Sequence, residues 1–370
     1  MLDFLPDILR TPVAFVVVLG VLVFVHEFGH YIAARGCGID VEAFSIGFGR
    51  AICSWKDRAG TVWKLAWMPL GGYVRMNGME NPHDATEEER AAWHPGRTFH
   101  EQGPGKRAIV IAAGPIANFL LAAVLFTVLF ATVGRGVIAP VVGEVLPDSA
   151  AAAAGLVAGD RIQTIDGTPI DSFEDIQRLV GAVPGVALKV TVESGGAPRT
   201  LTVTPQARGP AGAQVGVLGI RGGAVEYRHV SPVEALPLGV WQTWVVTRDT
   251  MVGVWQMIVH ARGAEEIGGP LRIAQLSGQV AKLGVASMVS FIALLSVNLG
   301  LINLFPIPIL DGGHLLFIGA EAVRGRPLSP RAQEVGLRAG LALLVALFVF
   351  ATFNDLTQIG IFRWVAGLIG

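Results

Sequence analysis

Four long apolar stretches set the rhythm of this chain, at roughly residues 11–33, 108–133, 286–305 and 338–354. Each is long enough for a helix to cross a bilayer, which takes about 20 residues. Between the first two the period shortens. Val41 to Asn77 reads as short apolar strands broken by glycine turns, among them Gly47-Phe-Gly49 and Pro69-Leu-Gly-Gly72. Residues 80–101 read as a polar loop in which Glu87-Glu88-Glu89 is solvated. Between spans two and three the period changes again. Val141 to Ala150 is a strand, Ala151-Ala-Ala-Ala154 a short helix, and the glycines that follow turn the chain into a second strand ending at Ile162. Asp166-Gly-Thr-Pro169 is a turn, Ser172 caps a short amphipathic helix to Val180, and 188–192 and 200–204 alternate as paired strands.

A further helix precedes the third span. Trp241, Trp244, Val245, Met251, Val252, Trp255, Ile258 and Val259 fall on one face, with Gln242, Thr243, Asp249 and Gln256 opposite. Three tryptophans on such a face suit a membrane interface, and packing against the inserted domain is the competing reading. The pattern predicts a polytopic α-helical membrane protein of about four transmembrane helices, with an inserted α+β domain and a β-structured loop. Its divisions are 1–137 (spans one and two with the loop), 138–222 (the insert), 223–285 (a linker with the interfacial helix) and 286–370 (spans three and four).

Composition agrees: 52% of residues are hydrophobic and 15% charged. A net charge of −1 leaves no basic footprint for nucleic acid. Cys37 and Cys53 do not make a disulfide framework or a zinc knuckle, and read as unpaired thiols on a reducing face. The amino terminus lacks a basic n-region and a small-residue cleavage site, so it reads as a retained span. Lys and Arg concentrate in 34–107 and in the short loop 306–337, at Arg324, Arg326 and Arg331. The positive-inside rule makes both cytoplasmic and puts residues 134–285 and both termini on the opposite side.

Candidate chemistry lies inside the apolar spans. His26-Glu27-Phe28-Gly29-His30 ends the first, and residues four apart share a helix face. The two imidazoles suit one zinc ion, with Glu27 beside them to take a proton from the attacking water. A polar cluster where the helix leaves the membrane, with Glu27 snorkelling, fits the pentapeptide too. So does an ion or proton pathway. The third span ends in Asn298-Leu-Gly-Leu-Ile-Asn303-Leu-Phe-Pro-Ile-Pro-Ile-Leu-Asp311-Gly-Gly-His314, where two prolines and two glycines break the helix. Asp311 is a candidate third ligand or a turn carboxylate. Asn303 is a candidate clamp on substrate backbone or oxyanion, or a packing amide, and His314 reads as a histidine at the interface or behind the ligands.

Together these segments resemble the site-2 protease family of intramembrane metalloproteases, in its bacterial regulator-of-sigma-E form. Gly114-Pro-Ile-Ala-Asn118-Phe119 and Ile267-Gly-Gly-Pro270 are similar to further family segments, and the resemblance covers nearly the whole chain. It implies Zn2+ held by His26, His30 and Asp311, with Glu27 as general base and Asn303 assisting substrate or transition-state binding. It also implies a multi-pass protein of the bacterial inner membrane, cutting single-span membrane proteins such as anti-sigma factors or signal-peptide remnants after a site-1 protease has trimmed them. The loop 41–77 would then lie beside the site and hold unwound substrate as an added strand; the other reading is a small cytoplasmic sheet with no substrate role.

The insert resembles a bacterial PDZ domain, most specifically at Gly155-Leu-Val-Ala-Gly-Asp160, with Val217-Leu-Gly219-Ile220 either a carboxylate-binding loop or a plain strand turn. Many relatives carry two such domains; this chain has room for one, extracytoplasmic and suited to act as a size filter. The alternatives are a non-catalytic peptide-binding scaffold and an ion-pathway protein. The lack of a paired inverted repeat weighs against a transporter.

Overall fold

The computed structural model describes residues 6–79, 85–209, 214–260 and 268–359. Its elements run α1 (Asp7–Gly36), β1 (Val41–Lys56), β2 (Val62–Met76), α2 (Glu87–Ala91) and α3 (Pro104–Thr132). Then come β3 (Arg135–Ile138), β4 (Val142–Val145), α4 (Ala150–Ala153), β5 (Arg161–Ile165), β6 (Thr168–Pro169), α5 (Phe173–Gly181), β7 (Leu188–Ser194) and β8 (Ala197–Val203). The insert closes with β9 (Gln206–Arg208), β10 (Val215–Val217), β11 (Ile220–Gly222) and β12 (Val225–Arg228). Last are α6 (Pro232–His260), α7 (Pro270–Lys282), α8 (Val285–Leu304), α9 (Asp311–Arg324) and α10 (Pro330–Ile359). The chain forms two compact units, one from the parts up to Leu129 and from Pro232 onward, the other from Phe130–Ser231.

In the first unit α1, α3, α8 and α10 are long and apolar enough to cross a membrane. Water cannot drive apolar faces together inside a bilayer, so close packing by small residues decides which helices touch. A Cβ on Gly29 would meet the Ala113 carbonyl oxygen at 2.3 Å, so only glycine lets α1 approach α3 this closely. On another face of α1, Ala14, Val18 and Leu22 join Ala281 of α7 and Met288 of α8 in one core.

Phe24, Phe28 and Tyr31 dock α1 on the sheet, packed around Phe44 of β1 and Trp63 of β2, whose rings stack at 4.4 Å. That sheet is more than a simple hairpin. Residues 43–46 pair with 62–65 on one side and with 72–75 on the other, because glycines bend both long strands back on themselves. Residues 72–76 thus form an outer edge. A Cβ on Gly72 would lie 2.8 Å from Val23 and 3.1 Å from the Glu27 side chain, so that edge abuts α1.

The tryptophan-bearing helix differs from expectation in one respect. Trp241, Trp244 and Trp255 of α6 are exposed, but Thr243, expected on the polar face, is buried. Its Oγ1 donates to Gly239 O, and a Cβ on Gly239 would meet Thr127 of α3 at 2.3 Å. Thr250 Oγ1 further along donates to Asn298 of α8 at 3.2 Å. The small and hydroxylated residues face other helices, as small residues do in membrane helix packing.

Of the Ile267-Gly-Gly-Pro270 segment, Ile267 lies outside the described residues. Gly269 N and Arg272 N donate to the Asp355 carboxylate at 2.8 and 3.0 Å, so α10 caps the start of α7. Residues 80–84 of the polar loop also lie outside the described residues, and Glu87 opens the short α2. Both cysteines are free thiols.

In the second unit an antiparallel sheet of order β6-β5-β7-β8 is joined by the pairs β4–β11, β9–β10 and β3–β12. Ile162, Val190, Val192 and Val203 alternate inward and meet Phe173, Ile176 and Val180 from α5. Ser172 and Asp175 form a reciprocal capping box at the start of α5. The β3–β12 pair, beyond residues 138–222, closes the unit where the chain enters and leaves it.

Candidate active site

His26 and His30 fall one turn apart near the end of α1, and both are buried. Their Nε2 atoms lie 3.3 Å apart. Asp311 stands opposite, with Oδ2 3.2 Å from His26 Nε2 and Oδ1 3.5 Å from His30 Nε2. Each of the three residues has a donor atom within 4.8 Å of the other two.

The break between α8 and α9 brings Asp311 there. Phe305 to Leu310 form a tight turn, with Ile307 N donating to Phe305 O and Leu310 N to Ile307 O. Ile309 in that turn has φ +104°, a strained conformation for a β-branched residue and one that clusters at functional sites. Gly312 and Gly313 complete it. Their Cβ atoms would fall 2.3–2.4 Å from the Leu304, Phe305 and Ile307 carbonyl oxygens, so α9 can start only with glycine in these positions. Non-helical backbone at membrane depth is tolerated where it lines a cavity, as Ile309 and Leu310 do here.

A cavity of about 300 Å³ opens on the cluster, lined by His26, Glu27, His30, Asn303, Asp311 and His314 with Tyr73, Val74 and Met76 from the sheet edge. The structure therefore gathers the five expected residues of the helical unit around one space, with His314 beside them. Gly219 and Ile220 belong to the second unit. Gly219 adopts φ +77° and its carbonyl accepts from Leu146 N, while Ile220 begins β11 and pairs with Val145.

The donor set fits zinc. Two imidazole nitrogens and a carboxylate, with a cavity left for a fourth ligand, are what a catalytic zinc site offers. Asp311 Oδ2 is buried without a hydrogen-bond donor, a costly state for a carboxylate oxygen and one a cation relieves. His30 Nδ1 donates to Val110 O at 2.9 Å, which leaves its Nε2 lone pair turned to the cluster. Sequence reasoning left α3 without a role at this site. Gly114 packs on the His30 ring, and Asn118, fully buried, lies 3.1 Å from His26 Nδ1. The available signal was a Gly-Pro-x-x-Asn segment inside an apolar span, where a polar side chain is expensive.

Two histidines, a carboxylate and an adjacent glutamate, set among membrane-length helices, define a membrane metallohydrolase. Comparison with known proteins narrows this. The model of peptidase family M50 matches residues 14–347. A Rhizobium meliloti protein named as a zinc metalloprotease is 45% identical over 355 residues, covering 92% of this chain and 95% of that protein. The regulator of sigma-E protease RseP of Escherichia coli is 32% identical over 461 residues, covering 97% of this chain and all of its own. Among solved structures, the PDZ domain of an SdrC-like protein from Listeria monocytogenes aligns with 23% of this chain and 87% of its own at 24% identity, with a TM-score of 0.21. The chain belongs to peptidase family M50. It is a multi-pass intramembrane zinc metalloprotease.

Proposed function

We propose that this protease cuts peptide bonds inside the membrane spans of single-span proteins, with His26, His30 and Asp311 as the zinc ligands. The carrying observation is the convergence of these donors on one cavity with Glu27 and Asn303. Bound zinc supplies Lewis-acid polarisation of the scissile carbonyl and of a water. Glu27 accepts the proton released as that water attacks and passes it to the departing amine. Asn303 donates its amide to substrate carbonyl or developing oxyanion. The edge at residues 72–76, lining the same cavity, holds the unwound substrate as an added strand and exposes the carbonyl that helical bonding would shield.

The Lys- and Arg-rich connections support a bacterial inner-membrane orientation with the site near the cytoplasmic face and the insert, a single PDZ-like domain, outside. Gly219 and Ile220 are its candidate peptide-binding positions. The insert then screens substrates by the size of their outside portion, admitting those a site-1 protease has trimmed, anti-sigma factors among them. A membrane-proteome comparison of cells carrying wild type or Glu27→Gln tests this. Single-span proteins should accumulate uncut, or bound to the variant; identical proteomes would reject it.

A further inference from the structure

We propose that Asn118 is the positioning residue for His26, its amide oxygen accepting the Nδ1–H hydrogen bond and so turning the Nε2 lone pair to the metal; this rests on the zinc-ligand reading above. The two histidines are held differently. His30 Nδ1 faces a backbone carbonyl, Val110 O, which can only accept, so the proton is on Nδ1. His26 Nδ1 faces the Asn118 amide, whose Nδ2 is placed 3.1 Å away, and turning that amide end for end presents its oxygen in the same space.

The two orientations have opposite consequences. With the nitrogen facing His26, Nδ1 must accept and Nε2 must carry the proton, aimed at His30 Nε2 and Asp311 Oδ2 only 3.3 and 3.2 Å away. That tautomer cannot ligate through Nε2, and Asn118 Oδ1 stays buried with no donor. With the oxygen facing His26, Oδ1 receives Nδ1–H and Nε2 is bare. Both ligating rings then have the same tautomer, each set from α3.

Placement on α3 supports the assignment. Gly114 and Asn118 are one turn apart on a shared face. Gly114 leaves room for the His30 ring while Asn118 reaches His26. Asn118 is fully buried, and Ser296 Oγ of α8 donates to its backbone carbonyl at 2.7 Å. That anchor does not use the side chain, so side-chain substitution separates tautomer control from helix docking.

The experiment measures zinc affinity of the purified full-length protein by chelator competition, with the visible spectrum of the cobalt-substituted site as a second readout. Asn118→Leu, similar in volume but without an acceptor, should bind zinc about 10–100-fold more weakly, with an altered cobalt spectrum. Asn118→Asp, which restores an acceptor, should recover affinity and spectrum to near wild type, whereas a purely structural role would suffer at least as much from a buried carboxylate. Asn118→Ala serves where the leucine variant fails to accumulate. Wild-type affinity in Asn118→Leu or Asn118→Ala, or an Asp variant as weak as Leu, would overturn the proposal. Wild-type protein that binds no zinc, or a His26→Ala variant that binds it normally, would instead sink the ligand assignment beneath it.

Discussion

Gly114→Ala is a one-methyl change with a consequence calculable from distances. The added Cβ would lie 2.2 Å from His30 Nε2, 2.6 Å from Cε1 and 2.8 Å from Cδ2. Ordinary carbon–nitrogen contact needs about 3.5 Å, so the ring or the helix must move by roughly 1.3 Å. The ring is also tied by Nδ1 to Val110 O, on the same helix as the new methyl, which limits its escape. A metal–ligand bond tolerates about 0.2 Å. The expected result is zinc affinity lowered at least about 10-fold and substrate cleavage reduced about 100-fold, the usual cost of a 1 Å misplacement at a reacting centre. The matched control is Gly20→Ala in α1, where an added Cβ meets nothing within 4 Å and helix propensity improves. Chelator competition and cleavage of a reconstituted substrate measure both variants. Wild-type zinc affinity in Gly114→Ala would refute the reasoning, because the packing on which the His30 assignment rests would not exist.

Three further outcomes follow from the same geometry. His26→Ala and Asp311→Ala should each bring bound zinc well below one per chain by elemental analysis, and chelation should stop cleavage by wild type until zinc is returned. Excising residues 139–224 and joining β3 to β12 at their paired residues Ile138 and Val225 should preserve the membrane unit. The shortened protein should cut untrimmed substrate; if it cuts only trimmed substrate, the size filter is wrong. At the bend of the sheet, the Trp63 indole N–H, with the Thr61 and Ala59 amides and the Tyr31 hydroxyl, holds the Asp57 carboxyl below the usual carboxylate range. A lowered folded-state pKa stabilises above the unfolded value, near 4, and that contribution fades as pH falls through the folded value. Tryptophan fluorescence should show a change below about pH 4 that Asp57→Asn removes; a change persisting in the variant would assign it elsewhere.

Hydropathy located the four membrane helices because a bilayer demands about 20 apolar residues and little else competes with that signal. The spacing of His26 and His30 was equally legible, since i and i+4 share a helix face. Asp311 was suggested by its broken, glycine-rich setting, but nothing local states that residues 30 and 311 meet. The Gly114-Pro-x-x-Asn118 segment marked α3 as unusual, but not which residues it would meet, because the face one apolar helix turns to another depends on small-residue packing such as Gly29 on Ala113. The same physics misplaced Thr243: a hydroxyl that would face water on a soluble helix instead bonds its own backbone and packs inward. Doubled pairing of residues 43–46, which leaves 72–76 as the edge lining the cavity, was hidden because alternation fixes a strand's faces and not its neighbours.

The central claim is hydrolysis within the bilayer by Glu27 acting beside a zinc held by His26, His30 and Asp311. Its most direct test reconstitutes the purified protein in lipid with a single-span substrate, maps the cut by mass spectrometry, and repeats the measurement with Glu27→Gln alongside its zinc content. The expected result is a cut inside the substrate's apolar span and a variant that keeps about one zinc per chain while losing about 100-fold or more in rate. A cut outside the span, or near-normal cleavage by Glu27→Gln, would contradict the account.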